Sequence, residues 1–335
     1  MTKLRMRQAV ATALADEMRD DPTVVVLGED VAEAGGVFKA TDGLLAEFGP
    51  KRVRDTPISE MGFLGAAVGA AATGLRPVVE IMFGEFLGVA LDQLVTEAAK
   101  FRYLSAGHYP VPMTVRVSVG AGVGFGAQHS QCLETWCYAT PGLKLAVASG
   151  PQTAYGLLRA AIRDDDPVVV LEPRRLYPER TEVTTGEAGV IPLGVADVRR
   201  TGEDVTLLGL GGTVPTVLDA AEGADGWTAE VIDLRTLLPW DVEAVLDSVR
   251  RTRRLVIVEE GPFTGGWGTE VASRVAAELF GVLAAPVVRV TAPDVPVPYA
   301  KPLEERYVPG AEYVREQVGE LISSGRLPKP WWEAR

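Results

Sequence analysis

What narrows the fold most is a repeated change of hydrophobic period along the chain. Short, nearly continuous apolar runs alternate with longer stretches whose apolar positions recur at helical spacing. The run Val24-Val25-Val26-Leu27-Gly28-Glu29-Asp30 typifies the first kind. A strand that is apolar on both faces must be covered on both, as strands are in a parallel sheet flanked by helices. The same reading places strands at 76–82, 113–119, 143–147 and 167–172, and helices at 41–48, 87–103 and 152–163. The βα unit repeats on a period of roughly 30 residues, so this part of the chain is expected to form a doubly wound parallel sheet.

The pattern pauses at a polar stretch carrying Thr181, Thr184, Thr185 and Gly186. It resumes with strands at 205–209, 228–233, 255–259 and 287–290 and helices at 214–221, 241–250 and 270–279. The chain therefore reads as α/β, with two doubly wound domains at 1–180 and 194–335 and a linker at 181–193. Its 335 residues suffice for two cores. A net charge of -12 argues against nucleic acid or an anionic membrane surface as the main partner. Cys132 and Cys137, without a CxxC pair, make neither a disulfide framework nor a zinc site, and match a reducing, cytoplasmic setting. Near the N-terminus Leu4, Ala9, Val10, Ala13, Leu14 and Met18 recur at helical spacing, interrupted by Asp16, Glu17 and Asp20. That is an amphipathic helix and not the apolar centre of a targeting signal. No run reaches the ~18 apolar residues that a membrane span needs.

Ligands of doubly wound sheets bind beyond the carboxyl ends of the strands. Glu29, Glu60, Phe86 and His129 all fall at such ends. Glu60 lies in Asp55-Thr56-Pro57-Ile58-Ser59-Glu60-Met61-Gly62, a charged segment and a proline leading into a helix of small residues. Ser59 is the expected N-cap, and Glu60 sits at the positive end of the helix dipole. Helix capping alone accounts for a Glu there. Glycines 62, 65 and 69 are costly within a helix and make sense where another backbone, of this chain or of a neighbouring subunit, approaches closely. His129 follows a glycine-rich loop, and histidine is the residue type that suits proton relay, although a structural histidine at a loop end is an equal alternative. Phe86 fits a stacking partner for a heteroaromatic ring, or plain core. Asp164-Asp165-Asp166 reads as a solvated turn or a hard-cation site. Residues 261–268 read as a tight turn, or as an anion site at a helix start. No acidic Gly-Asp-Gly stretch with a downstream Asn is present, so the usual magnesium-diphosphate half of a diphosphate cofactor site is missing.

Several blocks together resemble one family: Gly28-Glu29-Asp30, DTPISEMGFLGAAVGAA, the helix from Leu91-Asp92-Gln93 to Ala98-Ala99-Lys100, QHSQCLETW, PGLKLAVASGPQTAYGLLRAAIRDDDPVVVLEP, DLRTLLPWD and TAPDVPVPYAKPLE. Over nearly its whole length the chain is similar to the beta subunit of the thiamine-diphosphate-dependent decarboxylating component of 2-oxo acid dehydrogenase complexes, of pyruvate, branched-chain and acetoin type. The resemblance implies a transketolase-like layout, with a pyrimidine-binding domain and a C-terminal domain assembled as an α2β2 heterotetramer. It implies that the alpha subunit supplies the magnesium-diphosphate end, which would explain the missing motif. Glu60 matches the glutamate that hydrogen-bonds the aminopyrimidine and promotes the tautomer that deprotonates the thiazolium carbon. Glu29 falls among the cofactor-binding positions. Phe86 matches the aromatic against the pyrimidine, and His129 the histidine of substrate binding and acyl transfer to the lipoyl group of the acyltransferase core. A potassium ion found in some members would fall on oxygens of Val111, Met113, Thr114, Ala161, Asp164 and Asp166; Asp166 stands where related chains often have Asn, adding a charge. Gln128-His129-Ser130-Gln131 leans toward pyruvate or acetoin as substrate. The competing expectations are a self-sufficient transketolase-type enzyme and a non-catalytic α/β scaffold subunit, in which Glu60 and His129 would be dispensable.

Overall fold

The computed structural model describes residues 1–333; Ala334 and Arg335 lie outside the described residues. The chain divides into two compact units, one of residues 1–119, 136–193 and 237–239, the other of residues 120–135, 194–236 and 240–335.

The first unit is built on a seven-stranded sheet in the order Thr236–Leu238, Lys144–Val147, Val168–Pro173, Thr114–Val119, Arg76–Ile81, Val24–Gly28, Val53–Asp55. From Lys144–Val147 to Val53–Asp55 every neighbouring pair is parallel. These strands are the apolar runs of the sequence, and Thr114–Val119 and Val168–Pro173 are buried at every position. On one side the helices Met6–Asp20 and Pro151–Arg163 pack together, burying Ala9, Val10, Ala13 and Leu14 with Tyr155, Leu158 and Ile162. Their charges interlock at the same seam. Glu17, buried, accepts from Arg159 Nε at 2.5 Å and from Arg163 Nε at 2.9 Å, and Tyr155 donates to Asp16 at 2.7 Å.

Two expectations are revised here. Residues 181–193 do not form a free linker, because Arg180–Val183 pairs antiparallel with Thr2–Arg5 and a 3-10 turn follows at Glu187–Gly189. Unpaired amides of a terminal segment gain partners that way. The helix expected at 87–103 carries a π-helical stretch, Asp92–Ala98, between Leu87–Leu91 and Ala99–Leu104.

At the centre of this sheet Arg116 is 1% exposed. Its Nε and Nη2 donate to the two carboxylate oxygens of Glu172, each at 2.8 Å, and its Nη1 donates to Glu80 at 2.6 Å. Glu80 is the residue directly opposite Arg116 on the neighbouring strand. Tyr177 donates to Glu172 at 2.7 Å. One cation thus serves two buried acids. Burial pushes the Glu80 carboxyl up, the opposing pull of Arg116 is only partial, and Glu172 adds to the rise.

The second unit holds a five-stranded sheet in the order Val288–Ala292, Leu255–Pro262, Val205–Gly209, Ala229–Asp233, Asp197–Arg200. Only the last of these runs antiparallel to its neighbour. Helices Thr213–Glu222 and Ala311–Ser324 cover its apolar core through Val217, Val314, Val318 and Leu321. The segment 120–135 clusters with this unit although it precedes 136–193 in the chain. No helix among the described residues is long and apolar enough to cross a membrane.

Removing Arg116 strands two buried carboxylates, a change that typically costs about 3–5 kcal/mol. Arg116→Met is therefore expected to lower the urea midpoint of the first unit at pH 7, with part of the loss recovered as falling pH protonates Glu80, whose carboxyl burial pushes up. Equal midpoints for the two proteins at pH 7 would contradict the network's role.

Candidate active site

Glu60 is the first residue of the helix Glu60–Ala72 and is 9% exposed. The approach to it is fixed by backbone. Thr56 N–H donates to the Gly28 carbonyl at 3.0 Å, and the Asp55 carboxylate accepts from Ala32 N–H at 2.7 Å and Glu33 N–H at 3.2 Å. Ser59 stands at the N-cap, but its side chain makes no capping bond. Its hydroxyl turns over Gly62 instead, where a Cβ would lie 2.7 Å from Oγ. Phe63, Leu64, Ala67, Val68 and Ala71 form the buried face; Met61, Gly62, Ala66 and Gly69 are exposed. Within the chain a side chain, Gln93, covers Gly65, and nothing lies within 4 Å of the Cβ position of Gly69.

Glu29 follows the strand that Thr56 caps. Its Oε1 is buried without a hydrogen-bond partner, and so is Thr56 Oγ1. Burial pushes the Glu29 carboxyl up, and the charges of Glu60 and then Asp30 push it further. Two buried oxygens with unspent hydrogen-bonding capacity thus lie on segments joined by one backbone bond, beside a buried carboxylate. Unpaired buried polar atoms are costly unless a ligand or water meets them. A nitrogen heterocycle offers such partners, so these residues fit the pyrimidine end of a thiamine cofactor.

Phe86 ends the 3-10 turn Gly84–Phe86 after the strand Arg76–Ile81 and is half-buried. It meets Phe83 edge-on at 5.6 Å between ring centroids; Phe83 meets Phe38 at 5.7 Å, and the Arg174 guanidinium lies 5.0 Å over it. The aromatic chain holds the Phe86 ring in one orientation. The first unit therefore gathers Glu29, Glu60 and Phe86 from three strand ends.

His129 belongs to the second unit and is half-buried at the end of the glycine-rich loop. The loop amides at Ala121, Gly122 and Gly124 are already engaged. Ala121 N–H donates to Glu260 at 2.6 Å, and Gly122 and Gly124 N–H donate to Glu304 Oε1 at 2.8 and 3.2 Å. The anion site considered for 261–268 is likewise filled from within, since Gly268 N–H donates to the Glu259 carboxylate at 3.0 Å. Glu134, five positions beyond His129, carries a carboxyl pushed up to about 7 by burial, with Glu260 and Glu259 adding to the rise.

The residues of the implied potassium site do not fit a free cation pocket. Lys144 Nζ donates to both oxygens of Asp164 at 2.7 and 2.8 Å and lies 3.4 Å from Asp166, which Arg102 also meets at 3.0 Å. The carbonyls of Val111, Met113 and Ala161 accept from Met113, Val168 and Asp164 N–H, and Thr114 lies within the sheet. Protein cations thus neutralise the carboxylates, including the extra charge at Asp166. Among the described residues no group of three or more His, Cys, Asp or Glu side chains is arranged to hold a metal ion.

A family model of the transketolase pyrimidine-binding domain matches residues 2–180, and one of the transketolase C-terminal domain matches residues 194–314. The chain belongs to the transketolase family. Within it, the chain is 45% identical to the pyruvate dehydrogenase E1 component subunit beta of Rhizobium meliloti (strain 1021), over 95% of this chain and 70% of the relative. It is 44% identical to the acetoin:2,6-dichlorophenolindophenol oxidoreductase subunit beta of Bacillus subtilis (strain 168), over 97% of this chain and 98% of the relative. Among solved structures, a split gene transketolase described as an inactive beta4 tetramer matches with a TM-score of 0.76 at 25% identity, covering 96% of this chain and 99% of that one. The transketolase-like α/β fold with two domains read from the sequence is the one found.

Sequence reasoning passed over Glu304, Glu260 and Thr56. TAPDVPVPYAKPLE drew notice as a motif, but nothing in it shows that its last residue reaches back 180 positions to Gly124.

The Glu134 carboxyl binds its proton more tightly in the folded chain, up to about 7 against an ordinary 4.5. A group raised in this way contributes stability below its unfolded value and loses it as pH rises through the folded one. Glu134→Gln should therefore melt progressively higher relative to wild type as pH rises from 4.5 to 7, with the gap constant above that. A gap that is flat across this window would contradict the shift.

Proposed function

We propose that this chain is the beta subunit of a pyruvate or acetoin dehydrogenase that works with an alpha subunit in an α2β2 assembly and passes an acyl group to the lipoyl arm of an acyltransferase core. The observation that carries the reading is the pairing of a buried helix-start glutamate, Glu60, with the unspent oxygens of Glu29 and Thr56. Bound thiamine diphosphate would supply a carbon nucleophile and an electron sink for cleavage next to a carbonyl.

The residues of this chain would bind and orient it. Glu60 would hydrogen-bond the ring nitrogen and share a proton with it. Desolvation strengthens that bond. Glu29 would meet a further polar edge of the ring, with its raised proton affinity suiting a carboxyl that donates. Phe86, held by Phe83, would set the ring plane. His129 would hold or move a proton at the substrate oxygen and assist transfer to the lipoyl thiol.

The diphosphate and its magnesium would be held by the alpha chain. The absence of a Gly-Asp-Gly stretch supports this, as do the loop amides already bound to Glu260 and Glu304. The exposed small-residue face of the helix Glu60–Ala72, with the 86%-exposed Ile58 before it, suits the subunit contact. Cys132 and Cys137 stand as thiols, which suits a reducing, cytoplasmic compartment. No role for potassium is part of this reading.

Glu60→Gln keeps the shape and removes the exchangeable proton. In the co-expressed assembly it should lower turnover of pyruvate or acetoin by about 10²–10⁴-fold, with association to the alpha chain unchanged by size-exclusion chromatography. A normal rate in this variant would remove Glu60 from the mechanism.

A further inference from the structure

We propose that Glu304 is a positioning residue for the loop that presents His129. The inference rests on the reading that His129 acts on the substrate. The loop 120–130 begins at Gly120, whose N–H donates to the Gln131 carbonyl at 3.1 Å and closes its base. Inside that closure the chain folds onto a carboxylate. Glu304 is 3% exposed, and its Oε1 accepts from Gly122 N–H at 2.8 Å and Gly124 N–H at 3.2 Å, while its Oε2 accepts from Gly124 at 3.1 Å.

Other contacts make loop and glutamate one body. Ala121 is buried with Ala292, Val297 and Tyr307, and Tyr307 ends the helix Lys301–Tyr307 that carries Glu304. Gly126 has φ 69°, and a Cβ there would lie 2.9 Å from the Tyr299 ring. His129 N–H then donates to the Gly126 carbonyl at 3.3 Å. The histidine backbone is thus referred to Gly126, and the segment before it to Glu304.

Two amide bonds to a buried carboxylate are charge-assisted and stronger than bonds between neutral groups. They explain why a glycine-rich segment, with little side-chain packing of its own, can hold a histidine in one place. Gly122 is exposed, so without the carboxylate its amide would turn to water. The loss would appear as loop mobility and not as unfolding. A displacement of about 1 Å at a reacting group is enough to slow a step markedly.

The test uses the α/β assembly with thiamine diphosphate and magnesium. In the wild type, amide exchange followed by mass spectrometry should show Gly122 and Gly124 protected. Glu304→Met fills the same space without an acceptor. It should release that protection and lower kcat for acylation of a lipoyl domain about tenfold, with KM for pyruvate or acetoin within about twofold. Glu304→Gln should restore protection at Gly122 and part of the rate, because an amide oxygen at the Oε1 position still accepts from Gly122, while the NH2 at the Oε2 position cannot accept from Gly124. Fast exchange of these amides in the wild type would overturn the proposal. So would an unchanged acylation rate in Glu304→Met where His129→Gln lowers it. If His129→Gln itself leaves the rate unchanged, the role given to His129 fails, and the exchange measurement still decides whether Glu304 holds the loop.

Discussion

The parallel register at Gly28 is the constraint on which the first unit depends. Gly28 stands opposite Asp55 on one side and Glu80 on the other. A Cβ at this position would lie 2.8 Å from the Glu80 carbonyl oxygen, so the three strands reach this alignment only because the residue is glycine. The alignment brings their carboxyl ends level. From those ends come Glu29, the Thr56 turn into Glu60, and the Phe83–Phe86 pair. The same register sets Glu80 against Arg116. Parallel pairing thus decides both where the buried charges meet and where unspent polar atoms are left over.

A second theme is that internal carboxylates take up amide groups that would otherwise face a ligand. Glu259 closes the start of the helix Gly268–Leu279, and Glu260 and Glu304 hold the glycine loop. Helix starts and glycine-rich turns attract anions for sound physical reasons. Here the anion is a side chain of the chain itself. The cations behave alike: Lys144 and Arg102 neutralise the aspartates of the implied potassium set. By contrast Glu29 Oε1 and Thr56 Oγ1 are left without partners, and Glu29 feels the charge of Glu60. That contrast, between groups satisfied from within and the oxygens of Glu29 and Thr56, is what the proposed placing of a heterocycle rests on.

Most strands and helices were legible because each βα unit writes its own period into the sequence. Val24–Gly28 and Val205–Gly209 fall where their apolar runs lie. Features made by distant partners were not. The pairing of Arg180–Val183 with the N-terminal strand turned an expected linker into part of the first unit, since a short polar strand looks like a loop until its partner is known. The hydroxyl of Ser59 was expected on the helix amides and lies over Gly62 instead, a choice made by local backbone angles. The placing of Glu29, Glu60, Phe86 and His129 at strand ends followed from the alternation, and the order that makes the first three strands neighbours came from the fold. Their chemical roles came from the family resemblance, and Glu304 came only from the fold.

The central claim is that this chain holds the pyrimidine half of a thiamine diphosphate site and that an alpha chain completes it. Calorimetric titration of thiamine diphosphate with magnesium, into the isolated chain and into the co-expressed assembly, tests it most directly. The account predicts binding at least about 100-fold tighter in the assembly, a difference of about 2.7 kcal/mol. Equal affinity in the isolated chain, accompanied by cleavage of pyruvate or acetoin, would contradict it.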